Sequence, residues 1–157
     1  MRRTTKITAK LAASAALATA TLIAVPLLAP TAEASTYPLH FTKVYYNSPG
    51  SDTGSNASLN AEYVTIKNGS STARSLTGYT IRDKANHVYR FGTFTLSAGK
   101  SVRIHTGTGT NTSTDRYWGS GAYIWNNTGD KAYLRSAQFT LRDTCEWGSG
   151  GPGYINC

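Results

Sequence analysis

Apolar and polar residues alternate in short runs along most of this chain, and clusters of Gly, Asn, Asp and Ser separate the runs. A period of two with turn residues between is the mark of half-buried strands. The strongest instance lies in residues 117–135, where Tyr123, Ile124 and Trp125 lead into Asn126-Asn127-Thr128-Gly129-Asp130 and Ala132, Tyr133 and Leu134 lead out. It predicts a hairpin, with Ala132 and Leu134 on one face and Lys131, Tyr133 and Arg135 on the other. Trp125, beside the turn, is expected to close the end of a core, with ligand stacking as its competing role.

The same rhythm predicts strands over residues 39–46, 62–67, 76–82, 87–91, 93–96, 101–106 and 139–147, the last with Leu141 and Cys145 in phase. Turns fall at 83–86 and 97–99, and two polar loops run over 47–60 and 107–115. No helical period appears after residue 35. Seven to nine short strands with even turn signals define an all-β sandwich in one domain. In the 62–67 strand, Glu62 shares a face with Val64 and Ile66, so its carboxylate starts toward the core and needs partners there. It is expected to accept backbone or Trp/Tyr hydrogen bonds and pin the 47–60 loop. The competing role is a cation ligand with Asp52, although that loop lacks the alternating acidic spacing of a calcium loop.

The beginning of the chain follows another pattern. Arg2, Arg3, Lys6 and Lys10 precede an apolar run over 11–29, and Ala32-Glu33-Ala34 has the small-x-small form of a cleavage site. Residues 1–34 therefore read as a Sec-type signal peptide cut after Ala34, with the exported protein extracellular or held at the cell surface. A retained anchor is the alternative, against which Pro26 and Pro30 interrupt an already short run. Beyond Ala34 the charge is twelve Lys and Arg against seven Asp and Glu, a net +5 where the whole chain has +8. That balance favours anionic partners such as a wall polymer or extracellular DNA. The bases are scattered singly, however, and a solvated surface would look the same. Cys145 and Cys157 are an even count in an exported chain and predict one disulfide, closing the Gly-rich tail of residues 148–157; two free thiols are the alternative.

Catalytic chemistry needs a convergent set, and none is legible. There is no H-E-x-x-H, no G-x-S-x-G, no phosphate-cradling loop and no Cys/His metal spacing. His105, at a strand end before a polar loop, is the most notable histidine, with a hydrogen-bonded surface role weighing above a catalytic one. A small hydrolase, possible with a cation, would need Asp52, Glu62 and Asp130 or His105 in one cleft.

Several pieces in order carry a family resemblance: SPGSD at 48–52, LNAEYVTIKN at 59–68, LTGYTIRD at 76–83, HVYRF at 87–91, HTGTGTNT at 105–112 and WGSGAYIWNNTGDKAYLR from Trp118. Over residues 39–147 the chain resembles the secreted bacterial lamin-tail domains, and its two late cysteines are similar to those of the actinobacterial branch. The departures are Ala98 where a Pro is frequent, Asn111 where an acid is frequent and Tyr79 where a Trp is frequent. The resemblance implies an immunoglobulin-like β-sandwich over residues 35–147 and an accessory or tethering role beside exported hydrolases. No cofactor is implied. The function expected is a non-catalytic module that binds outside the cell through its long loops. The contact residues would be Tyr63, His105, Tyr117, Trp118, Trp125 and Asn126, and Tyr45 and Tyr123 could also stack on a ligand. A structural domain that engages another exported protein through a sheet edge is the alternative.

Overall fold

The structure, a computed structural model, describes residues 37–157. The expected signal peptide and its cleavage point lie outside the described residues. The strands are β1 (Leu39–Tyr45), β2 (Tyr63–Asn68), β3 (Arg74–Ser75), β4 (Thr80–Arg82), β5 (Val88–Arg90), β6 (Thr95–Leu96), β7 (Ser101–His105), β8 (Asp115–Tyr117), β9 (Gly129–Arg135), β10 (Leu141–Gly148) and β11 (Tyr154–Asn156), with one helix, α1 (Asn56–Ala61). Nine of the strands form two sheets, ordered β11-β1-β2-β7-β8 and β10-β9-β4-β5, while β3 and β6 pair as a small ribbon. All pairings are antiparallel except β7 with β8.

Alternation places the core. Val64 and Ile66 of β2 and Val102 and Ile104 of β7 face Ile81 of β4 and Ala132 and Leu134 of β9. Two bulges reset the alternation. One in β1 between Phe41 and Lys43 lets both Phe41 and Val44 turn inward. The other, in β10 between Leu141 and Asp143, breaks the phase that sequence assigns to Leu141 and Cys145. Leu141 is 42% exposed, while Cys145 and Trp147 enter the core. An extra residue on one strand shifts every side chain beyond it to the other face. The two irregular sites are tied across the sandwich, where the Phe41 N–H donates to Asp143 Oδ2 at 2.7 Å.

Three expected elements differ. The 47–60 loop ends in α1, which is capped by Ser55, whose Oγ accepts from the Ser58 N–H, and anchored by buried Leu59. Six residues are too few to print a helical period. Residues 148–157 are more than a tied tail. The Cys145–Cys157 disulfide joins Cα atoms 5.6 Å apart, and β11 extends the larger sheet beside β1. Finally, residues 123–125 form no strand, and β9 pairs with β10 and β4 instead.

Candidate functional site

The missing hairpin is explained by one buried acid. Glu62 is 1% exposed, and its Oε1 accepts from the Thr106 hydroxyl at 2.6 Å, the Ile124 N–H at 2.9 Å and the Trp125 N–H at 3.3 Å. A side chain thus takes the backbone donors that a neighbouring strand would otherwise take. The segment Glu62 pins is 124–125, not the 47–60 loop. Burial raises its carboxyl from 4.5 to about 7; the bonds from Thr106, Ile124 and Trp125 pull it back, and the Asp52 charge adds a small push upward.

The Asn-Asn-x-Gly-Asp stretch is organised by a second buried acid. Asp130 Oδ1 accepts from the N–H groups of Lys84 and Lys131, and Oδ2 from that of Asn126. Gly129 has φ 135° and lies against the Trp147 carbonyl, where a side chain would be strained. Asn126 also accepts the Trp147 indole N–H on its backbone carbonyl at 2.9 Å. Trp125 is 3% exposed and closes the core between Trp118 and Trp147. Tyr123 turns its hydroxyl to Ser58.

Asp52, Glu62 and His105 take separate partners. Asp52 is exposed and accepts from Asn127 Nδ2 at 3.4 Å. The ring nitrogens of His105 face the Asn60 carbonyl at 2.7 Å and Asp115 Oδ1 at 2.9 Å. Asp115 Oδ2 accepts the Thr114 hydroxyl at 2.6 Å. That bond first and His105 second hold Asp115 below the ordinary carboxylate range. Among the described residues, no group of three or more His, Cys, Asp or Glu could hold a metal ion.

What strand pairing brings together is on the outer face of the larger sheet. Register aligns Tyr154, Tyr45, Tyr63, His105 and Tyr117 as a row across all its strands, β11, β1, β2, β7 and β8. Successive ring centroids are 5.7, 5.5, 5.6 and 5.2 Å apart. The neighbouring row is Asn156, Lys43, Thr65, Arg103 and Asp115, and exposed Lys67 lies beyond Thr65 on β2. Lys43 Nζ sits 4.2 Å from the Tyr154 ring centre and Arg103 Cζ 5.5 Å from that of Tyr63. A trough of about 720 Å³ lies over this face, lined by Lys43, Tyr63, Thr65, Arg103 and Asp115 among others.

Of the contact residues expected from sequence, Tyr63, His105 and Tyr117 belong to this row, whereas Trp118 packs against the core. Lys43, Arg103 and Tyr154 were not singled out. Polar-face alternation marks Lys43 and Arg103, but nothing local marks Tyr154, whose place depends on β11 finding β1.

This architecture is an immunoglobulin-like all-β sandwich. The sequence profile described as Lamin Tail Domain matches residues 32–149, and the chain belongs to that family. No curated protein matches it. No helix among the described residues is long and apolar enough to cross a membrane.

Proposed function

We propose that this lamin tail domain is a non-catalytic module of the bacterial, actinobacterial type, exported through a Sec signal peptide cut after Ala34. Outside the cell or at its surface it binds an anionic polymer with the outer face of the larger sheet, rather than with the loops alone. The observation that carries this reading is the row of five rings flanked by Lys43, Lys67 and Arg103. None of these three cations forms an ion pair with a carboxylate among the described residues. The one acid of the two rows, Asp115, stands opposite Arg103; hydrogen bonds with Thr114 and His105, and then the Arg103 charge, hold its carboxyl low. An excess of cations on an open face raises the local concentration of anions and makes binding sensitive to salt.

The test is retention of the purified protein on immobilised wall polymer, DNA and neutral glycan at about 50 and about 200 mM salt. Salt-sensitive retention on the anionic supports, lost when Lys43 and Arg103 are both changed to Ala, is the expected outcome. Equal retention on neutral glycan, or indifference to the double substitution, would remove the reading.

A second reading, docking to another exported protein, is favoured by Phe139 and Leu141, which are 58% and 42% exposed near the start of β10. Arg90 on the edge strand β5 lies 5.4 Å from the Phe139 ring. Capture of one exported protein by the wild type but not by Phe139→Ser would support it.

A further inference from the structure

We infer that the polymer held on this face is a polyol phosphate chain, flexible and rich in hydroxyls, rather than a nucleic acid or a carboxylated polysaccharide. This rests on the proposed polymer-binding role and narrows it. The polar atoms along the ring file and the cations beside it carry the argument. Tyr45 is stacked between Tyr154 and Tyr63, at interplanar angles of 22° and 26°, and His105 lies on Tyr117 at 21°. Other groups also crowd the file. Gly109 lies so close to the Tyr117 ring that an added Cβ would collide with it, and Lys43 Nζ lies over both Tyr154 and Tyr45, at 4.2 and 5.6 Å from their centres. A base or pyranose ring would have to displace these neighbours to stack on Tyr45, Tyr117 or Tyr154, whereas Tyr63 and His105 meet at 55°. The file also presents hydroxyl groups. The phenol oxygens of Tyr45, Tyr63, Tyr117 and Tyr154 have no protein hydrogen-bond partner among the described residues.

The adjoining row supplies the anion-binding half. Lys43 and Arg103 flank Thr65 in register, which places their backbones two strand spacings, about 10 Å, apart. Lys67 stands two residues further along β2, a step of about 7 Å. A chain crossing the trough would meet the Arg103 guanidinium, able to fork onto a phosphate, and the Lys43 ammonium, with the Asp115 carboxylate at its β8 side and Lys67 beyond its lining. Hydroxyl-bearing Thr65 and Ser101 lie between these cations and in the trough wall. Alternating anions and hydroxylated linkers match this alternation of cations with hydroxyl groups, and no step requires an exposed base.

The experiment is titration calorimetry of the purified protein with poly(glycerol phosphate), oligodeoxythymidylate of equal phosphate number and polygalacturonate of equal charge. Thermal denaturation verifies that each variant is folded. Poly(glycerol phosphate) is expected to bind about tenfold tighter than either competitor. Combining Lys43→Ala with Arg103→Ala should weaken it about tenfold or more. Combining Tyr45→Phe with Tyr63→Phe, which keeps the file but removes two hydroxyls, should weaken it about three- to tenfold. If the oligonucleotide or polygalacturonate binds as tightly, the polyol phosphate assignment falls and the anionic-polymer reading stands. If no polymer binds, or if folded variants bind like the wild type, both fall.

Discussion

The chain builds two aromatic files, one inside the sandwich and one outside, and they are arranged by different physics. The inner file runs Tyr46, Trp147, Trp125, Trp118, Tyr89, Phe91 and Phe94, and it contains all three tryptophans of the protein. Its rings meet at every angle: Trp118 meets Trp125 at 87° and Tyr89 meets Phe91 at 85°, while Tyr46 lies on Trp147 at 6° and Phe91 on Phe94 at 8°. Rings that must fill volume in three dimensions take edge-to-face and offset-stacked geometries as the space requires, and both suit their quadrupoles. The outer file holds only tyrosines and His105, and three of its four contacts lie between 21° and 26°. There each ring stands on its own strand, and strand spacing sets the ring spacing. An aromatic count therefore says little about binding. What separates cohesion from presentation is whether ring contacts close a volume or leave polar edges toward solvent.

The comparison can be broken most severely from the inside. Trp125→Ala should cost about 3–5 kcal/mol, read from denaturant unfolding, because it opens the centre of the inner file. A loss below about 1 kcal/mol would mean that the core can collapse around the gap. The next largest effect joins the two files. Cys157→Ser releases a loop with a sequence separation of 12, and closing a loop of that size contributes about 3 kcal/mol. Hydrogen exchange should then show β11 opening ahead of β1, with Tyr154 leaving the outer file.

A pH series examines the acid that positions Trp125. Glu62 has a carboxyl raised from 4.5 to about 7 in the folded protein, so the unfolded chain gives up that proton first. The stability it contributes is complete below about pH 4.5 and declines as pH rises to about 7, a change of about 3 kcal/mol. Asp115, held low by Thr114 and His105, contributes in the opposite sense and is lost as pH falls. In Glu62→Gln the amide oxygen can keep all three donated bonds while the decline with rising pH disappears. Persistence of that decline in the variant would assign it to another group.

The smallest expected effect is on the outside. Tyr45→Ser should change stability by less than about 1 kcal/mol while weakening retention on anionic polymer. A stability loss as large as that of Trp125→Ala would erase the distinction between the files.

Glu62 shows how far residue pattern reaches. Its shared face with Val64 and Ile66 states that a carboxylate enters the core and needs donors. The donors themselves, on Thr106, Ile124 and Trp125, are far along the chain and could not be named. The same limit produced the false hairpin. Tyr123, Ile124 and Trp125 have the residue types of a strand, but their backbone donors are taken by a side chain. Tyr63, His105 and Tyr117 could be suspected individually. That they line up with Tyr45 and Tyr154 depends on β11 and β8 settling at opposite edges of one sheet.

By itself the sequence determined which residues face in along β2, β7 and β9, where most turns fall, which cysteines pair and to which family the chain belongs. These follow from period-two alternation, turn chemistry, a count of two thiols and ordered motifs, all readable within short windows. Only the tertiary structure decided the two bulges, the tail strand, the donors that Thr106, Ile124 and Trp125 offer to Glu62 and the outer row. Each of these depends on which distant segment supplies a hydrogen-bond partner. That choice is made by the burial of the whole core, and short-range pattern does not contain it.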